Sequence, residues 1–169
     1  MHRPARIGIL ALLVVLGLGA GCAHLGFGPR ALLDEANAAI DARDYPTAYG
    51  LLKRIALEYP DSPESAEAFP LAAGCLKVLY HHDRYRQPDS VWITSEPRFM
   101  FEWLTRYFEA GSPELAVSAL FVGCPYNVLR EFEEYAKGNP YVSQWVIRAE
   151  DDNGIIRSVT AERADAPAS

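Results

Sequence analysis

Cysteine, histidine and carboxylate groups are where this chain could do chemistry, and their spacing decides how much. Cys22 ends an apolar run and admits three readings: the last residue of a membrane helix, half of a disulfide, or the first residue of a mature chain. Cys75 and Cys124 sit in apolar surroundings ("AAGCLKVL", "LFVGCPY") and admit two: a disulfide, or two buried free thiols. His81-His82-Asp83 suggests a metal, but adjacent side chains on a helix point about 100° apart, and no third or fourth ligand is identifiable. These histidines read better as a helix C-terminus, where imidazole complements the dipole. "EDDNG" (Glu150–Gly154) is acidic, yet it lacks the alternating acids and terminal Glu of a calcium loop, so it reads as a turn. Glu131, Glu133 and Glu134 read as the solvated face of a helix. Ser90 and Ser95 lie near His81 and Asp83 in sequence, but nothing places them as nucleophile, base and orienter. No G-x-S-x-G, P-loop or dinucleotide fingerprint appears. The expectation is a protein without catalytic residues, metal or cofactor.

Composition narrows the partners. The 169 residues are 50% hydrophobic and 22% charged, as in a globular protein of one domain or one domain plus an appendage. The net charge is −6 and no run of Lys or Arg occurs, so nucleic acid is not an expected partner. An acidic body also has no electrostatic reason to lie on anionic lipid.

The elements that position Cys22 come next. Met1–Arg6 carries Arg3 and Arg6 and no acid, and Ile7–Ala20 ("IGILALLVVLGLGA") is uncharged. That is a basic segment and an apolar core of signal-peptide length. A spanning helix needs ~20 apolar residues; this run is shorter and interrupted by Gly8, Gly17 and Gly19. "LGAGC" (Leu18–Cys22) resembles the lipobox of bacterial lipoproteins. Ala20 and Gly21 match the small residues before the cysteine; Gly19 stands where that family usually has Leu, with Leu18 one place earlier. The resemblance implies cleavage of residues 1–21, diacylglycerol on the Cys22 thiol and an acyl chain such as palmitate on its new amino group. Each buried CH₂ is worth ~0.8 kcal/mol, and two chains hold where one is marginal. Ala23, rather than Asp, implies delivery to the outer membrane, facing the periplasm. Residues 22–29 then form a short Gly-rich tether that keeps the domain near the lipid. With Cys22 acylated, Cys75 and Cys124 remain as an even pair in an oxidising compartment. Closing that loop is worth ~4 kcal/mol in the entropy model, unless strain cancels it.

Residues 30–162 read as a single, mostly helical domain. Leu32, Leu33, Ala36, Ala39 and Ile40 repeat at helical spacing, and Asp34, Glu35, Asn37 and Asp41 take the other face. "ARDYP" breaks the pattern, and Ala48, Leu51, Leu52, Ile55, Ala56 and Tyr59 make a second stripe. "YPDSP" ends it, with Asp61 or Ser62 as cap of the next helix. The stretch "DYPTAYGLLKRIALEYPDSPESAEAF" is similar to one tetratricopeptide repeat, within residues 30–69. The alternative is a generic helical hairpin. The resemblance implies a fold like that of periplasmic tetratricopeptide lipoproteins. It also implies a partner-binding surface at Leu32, Ala36, Tyr45, Ala48, Leu52 and Tyr59. No second copy follows at the repeat's period: Pro70 and His82 stand where small Ala would recur. Pro70 is expected to kink the third helix.

Residues 97–162 differ in kind. "VWIT" (Val91–Thr94) could be a strand. From Pro97 a helix carries Phe99, Met100, Trp103, Leu104, Tyr107 and Phe108, up to Gly111. Ser112 caps a short apolar helix that should be buried. Another helix buries Val128, Leu129, Phe132, Tyr135 and Ala136 and ends at Gly138. "YVSQWVIRAEDDNGIIRSVTAE" reads as a β-hairpin about Asn153-Gly154, pairing Asp152 with Ile155 and Glu150 with Arg157. Residues 163–169 form a tail. Trp92, Phe99, Trp103, Tyr107, Phe108 and Trp145 could line a pocket or fill a core. A pocket would make the ending resemble the NTF2-like α+β fold, a small-molecule-binding or enzymatic alternative.

The expected fold class is therefore mainly α, a tetratricopeptide-like helix pair plus further helices and a C-terminal β-hairpin. The expected function is non-catalytic: a lipid-anchored adaptor binding another cell-envelope protein.

Overall fold

Turn chemistry lays out the first three helices. The structure, a computed structural model, describes residues 28–86 and 96–165, and the side chains of all of these but residues 80–86. The expected signal segment 1–21, Cys22 and the expected tether to Phe27, Ser90, Ser95, Trp92 with the expected 91–94 strand, and residues 166–169 lie outside the described residues. So do the side chains of His81, His82 and Asp83. Helix α1 (Pro29–Asp41) starts on Pro29, whose fixed φ suits a first turn. It stops in a Schellman turn. The Arg43 N–H donates to the Ile40 carbonyl at 2.9 Å and the Asp44 N–H to Ala39 at 2.8 Å, with Arg43 at φ +60°. Asp44 then caps α2 (Tyr45–Glu58), its carboxylate accepting from the Thr47 N–H at 3.3 Å.

Of the two candidate caps for α3 (Pro63–Arg86), Ser62 takes the role, its Oγ accepting from the Ser65 N–H at 3.2 Å. The helix runs unbroken through Pro70. Pro70 and Ala66 both lie on its exposed face, so water can serve the carbonyl that a missing N–H leaves without a partner. The apolar stripes read from the sequence are the buried ones: Leu32, Leu33 and Ala36 on α1, and Ala48, Leu51, Leu52, Ile55 and Ala56 on α2. Helices α1 and α2 pack side by side, and α3 covers both.

Helix α4 (Glu96–Glu109) lies across α3 and buries Met100, Phe101, Trp103, Leu104 and Phe108. It ends in a second Schellman turn, with Gly111 at φ +74°. Helix α5 (Glu114–Phe121) follows without the Ser112 cap; Pro113 holds that position and no side chain caps the helix. Its apolar surface is only partly buried. Ala116, Val117, Leu120 and Phe121 face inward, and Leu115 is 86% exposed. Helix α6 (Tyr126–Tyr135) buries Leu129 and Phe132, leaves Tyr135 at its edge, and ends before Gly138, which turns at φ +81°.

A 3₁₀ turn (Val142–Gln144) leads into β1 (Trp145–Asp152), which pairs antiparallel with β2 (Ile155–Arg163). Asn153 and Gly154 both have positive φ, the signature of a type I′ turn. Asp152 pairs with Ile155 as expected, but Glu150 stands opposite Ser158, not Arg157. A bulge at Arg157 is the reason. Ile156 is out of step with Val159 and Ala161 in a regular strand, and one extra residue brings all three to the buried face. Arg157 instead reaches Asp152 at 2.9 Å.

A two-stranded hairpin is marginal alone. Here β2 packs on α5, and the Gly123–Tyr126 backbone bonds to Gly154 and Ile156. The architecture is mainly α with a C-terminal β-hairpin, and one continuous cluster of buried side chains runs from Leu32 to Ala161.

Candidate functional site

The residues expected to bind a partner mostly do not reach the surface. Leu32, Ala36, Ala48 and Leu52 are fully buried, because they are the contacts that hold α1, α2 and α3 together. They belong to the core and not to a docking surface. Tyr45 and Tyr59 are half-buried at its edge.

The aromatic stripe of α4 is likewise largely filled space. Trp103 meets Phe69 edge-on at 5.1 Å between centroids, Phe108 meets Trp145 at 6.1 Å, and Phe132 packs against Phe101, Phe108 and Phe121. Rings occupy the side of α4 turned to the hairpin. Among the described residues the sheet has two strands.

The other flank of α4 is open. Two adjoining bays lie where α4 crosses α3, of about 440 Å³ and about 340 Å³. They share Ala66 and Tyr107. The larger runs from the Pro60–Ser62 turn to Trp103, Arg106 and Glu109. The smaller is walled by Phe69, Pro70, Glu114 and Leu115. Together they form an amphipathic groove from the α2–α3 turn to the start of α5.

The elements place each of these groups. Phe69 and Trp103 are buried and make the floor. Burial pushes the Tyr107 phenol up to about 12, so it stays neutral. The Arg106 guanidinium donates to the Ala56 carbonyl at 3.2 Å, satisfying a last-turn carbonyl of α2 and tying α4 to it. Leu115 is out of phase with the buried stripe of α5, and that leaves it on the groove's rim. An apolar residue out of phase is the one signal in the sequence that could have found this site.

The polar groups outside the groove are structural. Lys53 bridges α2 to α4, its Nζ donating to both Glu96 oxygens at 3.1 and 2.9 Å and lying 4.7 Å from the Phe99 ring centroid. Burial, and the Glu96 carboxylate beside it, hold the Tyr49 phenol well above its ordinary range. Lys77 Nζ donates to the Ala119 and Val122 carbonyls at 2.8 and 2.9 Å, closing the C-terminus of α5 onto α3. Burial lowers its pKa.

Cys75 and Cys124 are buried and free, so of the two alternatives the structure carries the thiol pair and not the disulfide. The Cys124 thiol donates to the Leu120 carbonyl at 3.2 Å. Burial pushes the Cys75 thiol up to about 11 and raises that of Cys124, against the pull of Lys77. Such thiols are poor nucleophiles. Among the described residues no three His, Cys, Asp or Glu side chains come together as a metal ion needs. No helix among them is long and apolar enough to cross a membrane.

No family model, curated protein or solved structure matches the chain.

Proposed function

We propose that this chain is a lipid-anchored adaptor of the bacterial cell envelope, held through Cys22 at the outer membrane and facing the periplasm. It binds another envelope protein on its helical surface. The anchor half of the reading rests on the signal-like segment and "LGAGC". The adaptor half rests on one observation: the groove between α3, α4 and α5, with Leu115 86% exposed on its rim. A concavity lined by apolar and aromatic side chains with a few polar groups is the kind of surface that binds a ligand or a partner. The packing order of α1, α2 and α3 also suits a tetratricopeptide-like hairpin followed by a further helix, a layout that presents an open helical face. The docking surface lies beside the hairpin's core, not in it.

Two measurements test this. Cells making the full chain are labelled with palmitate. The wild type takes up label and Cys22→Ala does not; a labelled Cys22→Ala protein overturns the anchor. Chemical crosslinking on the same membranes then reads the adaptor. A protein that stays alone under every crosslinker overturns it.

A further inference from the structure

The groove also says what kind of partner it fits. Its floor and walls are apolar and aromatic: Phe69, Pro70, Trp103, Tyr107 and Leu115. Its rim is acidic, for Asp61, Glu109 and Glu114 line it and all three are exposed. The one cation that lines it, Arg106, is engaged with the Ala56 carbonyl. Among the described residues no cation forms an ion pair with Asp61, Glu109 or Glu114. Arg106 keeps its charge, but three carboxylates against one guanidinium leave the slot net acidic, which favours a ligand with positive charge at its edges and apolar bulk at its centre.

We infer that the groove takes a segment of another protein in which bulky apolar side chains are flanked by Lys or Arg. This rests on the adaptor reading. The two bays adjoin at Ala66 and Tyr107, so one continuous segment can enter both. The chain's own tether does not have this chemistry: Ala23–Gly28 carries Leu25 and Phe27 but no Lys or Arg.

A photocrosslinking amino acid at position 115 of the full-length protein, in membranes of intact cells, tests the inference; the same group at Leu57, exposed on α2, is the comparison. The captured peptide is sequenced. Position 115 should capture a segment of another protein with apolar residues and flanking Lys or Arg. Its yield should fall as ionic strength rises. Reversing the rim (Asp61→Lys, Glu109→Lys, Glu114→Lys) should cut the yield about tenfold. The milder Asp61→Asn, Glu109→Gln, Glu114→Gln protein, which places no like charges together, should cut it too and guards against a folding defect.

Capture of the chain's own tether, a second copy, lipid or an acidic segment overturns the inference, and so does a yield indifferent to both rim variants. If position 57 captures an envelope protein and position 115 captures nothing, the adaptor stands and this groove assignment falls. If neither captures anything, the groove assignment falls, and the adaptor reading falls with it only if chemical crosslinking also leaves the protein alone.

Discussion

Arg43 and Gly111 occupy the same place in the same turn, one residue past the C-cap of α1 and of α4. Each N–H donates to a carbonyl three residues back, and the next residue's N–H closes the Schellman loop. Gly111 takes φ +74° at no steric cost, whereas Arg43 is held at φ +60° with a full side chain. Arg43→Gly should relieve that cost. The left-handed conformation costs an ordinary residue ~1–2 kcal/mol, and the added freedom of the unfolded chain returns part of it. A net gain of about 0.5–1 kcal/mol is expected. Denaturant unfolding should show a higher midpoint at unchanged slope. Gly111→Ala should move the midpoint the other way.

Lys77 joins α3 to α5 with two hydrogen bonds to carbonyls at the α5 C-terminus. Lys77→Met keeps the stem and removes the donors. Ala119 and Val122 are then left in a half-buried setting without their partner. The expected loss is about 1–3 kcal/mol, the cost of stranded acceptors. Because α5 carries Leu115, the same variant should loosen one wall of the groove. Hydrogen exchange reads both effects at once; unchanged protection of α5 would show that the lysine does not hold it.

The buried thiols and phenol predict an alkaline limit. Cys75 and Cys124 titrate above their ordinary values in the fold, so the native state keeps protons that the unfolded chain has released. Their contribution to stability is fully present below the unfolded thiol pKa of about 8.5. It is lost as pH rises through about 11 for Cys75. Tyr107 extends the loss from its ordinary value of about 10 toward about 12. Lys77 works in the opposite sense. Burial disfavours its ammonium, so its share of stability rises with pH up to its ordinary pKa. A Cys75→Ala protein should therefore lose less stability than the wild type across the thiol window, measured as unfolding free energy against pH. Parallel curves would contradict it.

Periodicity made most of the buried stripes of α1 and α2 legible, because helix-on-helix packing repeats at the helical period. It also misled. Leu32, Ala36, Ala48 and Leu52 are the positions by which a helical hairpin is recognised, and they are recognisable because they pack helix on helix. The pattern that identifies such a unit marks its inside. Tyr49 and Phe101 escaped notice for the converse reason: each is buried by partners far along the chain, with Tyr49 beside Glu96 and Phe101 beside Phe132. The bulge at Arg157 was hidden too. Asn153-Gly154 sets the turn, but only the buried face shared by Ile156 and Val159 demands the extra residue. The groove joins residues about 40 positions apart on α3, α4 and α5, a relation that no local window contains.

The thiol pair offers the simplest check on the fold and its compartment together. In a Cys22→Ser chain unfolded in denaturant, an aromatic disulfide reagent should count two thiols, Cys75 and Cys124. In the native protein at neutral pH both should react slowly. They are buried, both are raised in pKa, and the Cys124 thiol is bonded to the Leu120 carbonyl. Their rate should follow global unfolding, so Arg43→Gly should slow it and Lys77→Met should speed it. A count of zero in denaturant would mean that the two have paired. A disulfide would then join α3 to the segment beyond α5, in place of the two free thiols beside the α3–α5 wall of the groove. Two slow thiols keep that wall, and its exposed Leu115, where the adaptor reading needs them.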